Sequence, residues 1–160
     1  MFLRAARSHR PTSLIVGCGD VGMRVLRRVR GRLRVLALTT NADRRPALRA
    51  AGALPLVANL DDAHSLGRLA ALADWVLHLA PPPSQGERDP RTAALLRALA
   101  RSARVQRIVY ASTSGVYGDA QGARFDETRA LDPATPRARR RVDAEARVRH
   151  HGRAFGVATS

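Results

Sequence analysis

The hydrophobic positions of this chain follow two alternating rhythms. Short apolar runs are separated by segments whose apolar residues recur at three- and four-residue spacing, which predicts strands alternating with helices. Leu14 to Val16 is the first strand, and Val21, Val25, Leu26 and Val29 give the next segment one apolar face. Arg34 to Thr39 is the second strand, followed by a short helix from Pro46 to Ala51 that Gly52 ends. Leu54 to Val57 is the third strand; Asp61 or Asp62 then caps an expected helix with Leu66, Leu69 and Leu72 inward. Trp75 to Leu79 is the fourth strand, stopped by Pro81, Pro82 and Pro83. Thr92 to Ala103 reads as a helix with Leu95, Leu96 and Leu99 on one side, and Arg107 to Ala111 as the fifth strand. A long loop through Gly115, Gly118 and Gly122 reaches Pro136, before a basic helix from Arg137 to His151 and a sixth strand beginning within Phe155 to Thr159. This alternation predicts an α/β domain built on a parallel sheet.

One junction in that pattern carries chemistry. The first strand flows directly into Gly17-Cys18-Gly19-Asp20-Val21-Gly22 and then into a helix. A G-x-G-x-x-G bend between strand and helix is the dinucleotide fingerprint. The first glycine permits the tight turn, the second lets the backbone approach a pyrophosphate, and the third lets helix and strand pack closely. Asp20 and Val21 lie inside the bend, where the helix N-terminus offers free N–H groups and a positive dipole end to phosphate. With this loop after the first strand, the elements fit a doubly wound parallel sheet, the Rossmann arrangement, in order 3-2-1-4-5 with an incomplete sixth strand. The loops after Val16, Leu38, Leu56, Leu79 and Tyr110 are then expected to line one crevice.

Bulk properties narrow the rest. At 160 residues and 45% hydrophobic content, the chain is one globular domain, with residues 1–12 read as a flexible basic leader and 13–160 as the dinucleotide-binding unit. No apolar run approaches the ~18 residues needed to span a bilayer, so no membrane partner and a cytoplasmic location are expected. A single cysteine, Cys18, rules out an internal disulfide; it reads as a small filler beside the phosphates or as a redox-sensitive thiol at a helix N-terminus. The formal net charge is +15, and all 28 basic residues are Arg, with no Lys at all. Those arginines are dispersed over several helices and few aromatic residues accompany them. An anionic dinucleotide is therefore the expected partner, and specific nucleic-acid binding is not.

Four stretches together carry a family resemblance: Gly17 to Gly22, Asn59-Leu60-Asp61-Asp62, His78-Leu79-Ala80-Pro81-Pro82, and Tyr110-Ala-Ser-Thr-Ser-Gly-Val-Tyr-Gly118. From Ser13 onward the chain resembles the NAD(P)-dependent epimerase/dehydratase family of extended short-chain dehydrogenases/reductases. The resemblance implies an oxidoreductase or epimerase moving a hydride at a carbonyl or hydroxyl carbon of an unknown, nucleotide-sugar-like substrate. It places Asn59 where an Asp usually binds the adenine amino group, Leu60 over the adenine face, and Leu79, Ala80 and Pro81 where the coenzyme lies against the fourth strand. It makes Thr113 the hydroxyl that binds the reacting oxygen, with Ser112 beside it. Ordinary turn chemistry accounts equally for Ser112 to Gly115. No acid ends the second strand, which favours NADP over NAD, through Thr40, Asn41, Arg44 and Arg45. Arg44 and Arg45 also fit the solvated face of a short helix.

The same alignment exposes a departure. The family's Tyr and Lys, four positions apart, fall at Arg137 and Arg141. Arg141 can still bind ribose hydroxyls, but Arg137, with a pKa above ~12, cannot exchange a proton at neutral pH. Tyr117 is the alternative phenol, and His78 reads as a buried, hydrogen-bonded histidine before it reads as a base. Nothing near His150 and His151 has metal-ligand spacing. Family members also carry further strands and a smaller C-terminal region, so a missing substrate region and a homodimer covering the open sheet edge are expected. A non-catalytic dinucleotide-binding or sensor module, or an inactive remnant, is the alternative to an enzyme.

Overall fold

The computed structural model describes residues 10–160. Six strands form one parallel sheet in the order β3-β2-β1-β4-β5-β6. They are β1 (Thr12–Val16), β2 (Arg34–Thr39), β3 (Ala53–Val57), β4 (Trp75–His78), β5 (Arg107–Tyr110) and β6 (Ala158–Thr159). Four α-helices connect them: α1 (Asp20–Val29), α2 (Arg45–Ala50), α3 (Pro90–Leu99) and α4 (Pro136–Phe155). The doubly wound α/β fold read from the sequence is present, with its short sixth strand on β5, Arg107 opposite Ala158. Of the expected leader, residues 1–9 lie outside the described residues; Thr12 is already in β1, its amide donating to Asp74 Oδ2 at 2.7 Å.

Because successive side chains of a strand point to opposite faces, β1 and β2 divide the core in two. Leu14, Val16, Leu36 and Leu38 pack on one side with Leu66, Val76, Leu95 and Leu99, while Ile15, Val35 and Ala37 pack on the other with Cys18, Leu26 and Leu48. Buried on both sides, these strands read as continuous apolar runs instead of alternating ones. The register aligns Val16 with Leu38 and His78, and His78 with Tyr110, so the carboxyl ends of these strands finish along one edge. No helix among the described residues is long and apolar enough to cross a membrane.

Three elements differ from expectation. Among the described residues no α-helix lies between Asp62 and β4. The chain instead makes successive tight turns closed by i to i−3 bonds, such as Ser65 N to Asp62 O at 3.1 Å and Leu69 N to Leu66 O at 3.0 Å, ending in a 3-10 turn over Leu69–Ala71. Leu66, Leu69 and Leu72 are spaced by three, the period of that tighter helix. The side chains of Asn59, Asp62 and Ser65 also capture nearby backbone groups that an α-helix would have used. Leu66 and Leu69 are nonetheless buried. Helix α3 starts and ends earlier than predicted, because Asp89 accepts the Thr92 amide at 3.1 Å and Pro90 fits the first turn. Helix α4 is longer, capped by Thr135 and closed by Gly156 at φ +66°, so Phe155 ends the helix instead of opening β6.

A buried polar chain ties α3 to β4. Asp89 Oδ2 also accepts a hydrogen bond from the Thr92 hydroxyl at 2.7 Å, so Thr92 Oγ1 accepts from His78 Nε2 at 2.8 Å. That arrangement fixes the imidazole proton on Nε2. Burial, helped by Arg141, pushes the His78 pKa down to about 4. His78 is thus the buried, neutral histidine that the sequence favours over a base.

The folded pKa lies below the ordinary value of ~6.5, so the unfolded chain takes up the proton first as pH falls. The His78 contribution to stability is therefore whole above the ordinary pKa and declines towards pH 4. Urea unfolding at pH 7.5 and pH 4.5 should show the wild type losing about 2–3 kcal/mol more than His78→Gln over that interval. Equal losses in the two proteins contradict this account.

Candidate functional site

The bend after β1 is shaped by the three glycines, each in a different way. Gly17 sits at φ +85°, and a Cβ there would stand 2.5 Å from Ala80 N and 2.6 Å from Ala80 Cα. Only a residue without a side chain lets the β1 bend and the β4 loop touch backbone to backbone. Around Gly19 nothing lies within 4 Å of the Cβ position, leaving that stretch of backbone open to a ligand. A Cβ on Gly22 would meet Cys18 Sγ at 3.0 Å and Ile15 Cγ2 at 3.3 Å, so it is the close helix–strand packing that needs glycine here. Helix α1 then begins with Met23 N donating to Gly19 O at 2.9 Å. Cys18 points down into the core, and burial raises its thiol pKa against the opposing pull of Arg44. It is the filler of the two readings, since a buried protonated thiol is a poor nucleophile.

Above the bend lies a cavity of about 390 Å³ lined by Gly17, Gly19, Thr40, Arg44, Asn59, Leu60, Leu79, Ala80 and Pro81, all singled out in the sequence. Cys18, Leu38, Thr39 and Arg91 complete its wall. Asp20, Val21 and Gly22 stay in α1 behind the bend; Asp20 is exposed and paired with Arg24 at 2.9 Å. Asn41 and Arg45 are also outside the wall. Asn41 Oδ1 accepts the Asp43 amide at 2.8 Å and so starts a 3-10 turn over Ala42–Arg44, while Arg45 is exposed on α2. That turn aims Arg44 back over the bend, where Nη1 donates to the Cys18 carbonyl at 2.8 Å. Asn59 Oδ1 accepts the Asp61 amide at 3.0 Å, which orients the side chain at the rim.

The loop after β5 does not join this cavity, contrary to the expectation of a single crevice. Ser112 and Tyr117 line a second cavity of about 310 Å³ with Tyr110, Glu145 and Arg149. The Ser112 hydroxyl donates to Glu145 Oε1, and the Tyr117 ring packs on Phe125 with centroids 5.1 Å apart. Thr113 lines neither cavity; it caps a 3-10 turn over Ser114–Tyr117, its Oγ1 accepting the Gly115 amide at 3.4 Å. Arg141 is buried beneath the loop, with Nη1 donating to Tyr110 Oη at 3.0 Å and to the Ala111 carbonyl at 2.6 Å. The Tyr110 phenol is pushed up by burial, which outweighs the lowering effect of Arg141. Arg137 is exposed in the first turn of α4.

Two residues of chemical interest lie outside the sequence expectation. Starting the third α-helix at Thr92 leaves Arg91 in the loop before it; the Asp89-Pro90 pair, a cap followed by a first-turn proline, is the signal that places it in α3. Tyr110 reads as the end of a strand and the start of the fourth resemblance stretch, and nothing in its spacing announces Arg141 beside it.

A family model described as NAD(P)H-binding matches residues 17–154. Among solved structures, a functionally unknown conserved protein from Silicibacter pomeroyi is 34% identical over 85% of this chain and 47% of its own, with a TM-score of 0.68. A short-chain dehydrogenase/reductase superfamily protein from Agrobacterium tumefaciens, with bound NAD, is 26% identical over 92% of this chain and 47% of its own, with a TM-score of 0.74. The UDP-glucose 4-epimerase of Thermus thermophilus, in complex with NAD, is 22% identical and shares the fold over 92% of this chain and 53% of its own, with a TM-score of 0.75. Among curated proteins, none matches the chain. The chain spans about half the length of these structures. The family resemblance drawn from the four sequence stretches is thereby borne out, and with a glycine bend, a cavity above it and a matching family model, this chain belongs to the NAD(P)H-binding family.

Proposed function

We propose that this chain is the coenzyme-binding part of an NADP-dependent oxidoreductase of the extended short-chain dehydrogenase type. The observation that carries the proposal is the meeting of Gly17 with Ala80 beneath a cavity that Arg44 walls. The bend supplies backbone amides for a diphosphate, and Leu60 with Ala80 supplies apolar surface for a base. Arg44 is hydrogen-bonded to a neutral carbonyl and pairs with no carboxylate among the described residues, which suits the extra phosphate of NADP; Thr40 lines the same cavity. Bound there, the nicotinamide would give or accept the hydride at a carbonyl or hydroxyl carbon of a nucleotide-sugar-like substrate.

The chain's own residues would act around that carbon. Thr113 Oγ1 accepts from Gly115, and its hydroxyl proton would be donated to the reacting oxygen. Arg141 holds Tyr110 and the Ala111 carbonyl, fixing the loop that carries Ser112 and Thr113. Tyr117 is the remaining phenol for proton exchange. A second reading, a non-catalytic dinucleotide-binding or sensor module, is favoured by one observation: the Tyr slot holds the exposed Arg137 and the Lys slot holds an arginine already engaged below the loop.

Fluorescence titration with NADPH and NADH tests the coenzyme assignment. NADPH should bind roughly tenfold or more tightly than NADH, and Arg44→Ala should remove most of that preference, as expected for loss of a charge-assisted hydrogen bond. Equal affinities in the wild type contradict the NADP assignment.

Catalysis is tested by the double substitution Arg137→Tyr with Arg141→Lys, assayed by NADPH oxidation against nucleotide-sugar and simple carbonyl compounds. Restoring a phenol beside an ammonium should raise turnover by ~10²-fold or more, the usual scale of general acid–base assistance. A folded, coenzyme-binding double variant with no gain over the wild type supports the non-catalytic reading.

A further inference from the structure

The cavity wall holds a second arginine in a different electrostatic state from the first. Arg91, in the first turn of α3, makes two parallel bonds to Asp61, Nε to Oδ1 at 2.8 Å and Nη2 to Oδ2 at 2.6 Å, and a third from Nη1 to the Pro81 carbonyl at 3.4 Å. Asp61 belongs to the turn after β3, Pro81 to the loop after β4. Strands β2 and β1 lie between those two, so the loops start about 14 Å apart, three strand spacings. Arg91 therefore reaches across the mouth of the crevice and joins its two banks. Asn59 and Leu60 on one bank, Ala80 and Pro81 on the other, and Arg91 itself line one cavity.

We propose that Arg91 and Asp61 form a clasp over the base end of this cavity, presenting the flat face of the guanidinium to the adenine ring of the bound dinucleotide. The inference rests on the coenzyme reading above. Its logic comes from how the donors are used. Three of the five N–H groups of Arg91 are committed to a carboxylate and a carbonyl, so its charge is already compensated and a phosphate gains little from it. The planar face also stays available, and such a face stacks on aromatic rings. Bidentate pairing holds that plane in one orientation, as a single-point contact would not. Arg44, bonded among the described residues to a neutral carbonyl alone, is the contrasting case and the better anion ligand. The two cations thus divide the coenzyme between them, one for charge and one for a ring.

Displacement of NADPH fluorescence by ADP and by inorganic pyrophosphate tests the clasp. Pyrophosphate engages the glycine bend alone, whereas ADP adds the base. Arg91→Ala and Arg91→Lys should both weaken ADP by roughly 5- to 20-fold and leave pyrophosphate unchanged, the scale of a lost cation–ring contact. Asp61→Asn should weaken ADP by a smaller factor, because the plane is no longer held. Full rescue by lysine, or equal losses for ADP and pyrophosphate, would show a charge effect and overturn the stacking role. A lowered melting temperature with wild-type ADP affinity would reduce the pair to a structural tie and overturn it as well. Wild-type protein that binds neither NADPH nor ADP defeats the coenzyme reading itself, a failure visible before any variant is made.

Discussion

The site depends on two backbones being allowed to touch. Gly17 and Ala80 belong to loops that leave neighbouring strands, β1 and β4, and a single methyl group on Gly17 would be driven into the Ala80 main chain. Their approach sets the floor of the cavity and the direction in which α1 departs. It also keeps the apolar wall of Leu79, Ala80 and Pro81 beside the open backbone at Gly19. Move either loop outward and the amides of the bend, the Arg44 guanidinium and the apolar wall no longer face one volume.

Arginine does several distinct jobs around that volume, which matters in a chain that has no lysine. Arg141 is buried and braces the β5 loop through Tyr110 and Ala111. Arg44 lies over the glycine bend, bonded to the Cys18 carbonyl. Arg91 is neutralised by Asp61 and spans the crevice. A guanidinium can brace, because its rigid fork satisfies several acceptors at once, where an ammonium would offer a point charge. In the lysine slot, Arg141 turns Nη1 to the protein's own carbonyl and phenol.

Much of the fold was legible in the sequence because buried parallel strands and amphipathic helices leave different periodicities. The positions of β1, β2, β4 and β5 and the glycine bend followed from apolar runs and punctuation. The segment after Asp62 did not, since Leu66, Leu69 and Leu72 suit a three-residue period as well as a helical one, and the local side-chain bonds of Asn59, Asp62 and Ser65 decide between them. In the cavity, the residues read from the strand ends came together, whereas Asn41 and Arg45 did not. A one-residue shift in where a turn begins sends neighbouring side chains in different directions, and sequence spacing does not resolve that shift. The Ser112 hydroxyl of the loop after β5 lines the second cavity, because Glu145 of α4 accepts its hydrogen bond there while Arg141 anchors the Ala111 carbonyl.

The most direct test is a crystal structure of the chain with NADPH. The account predicts the diphosphate against the main chain between Gly17 and Gly22, the adenine between Leu60 and Ala80, and the extra phosphate beside Arg44. A complex with the coenzyme seated elsewhere, or with the bend left empty at saturating NADPH, would contradict it.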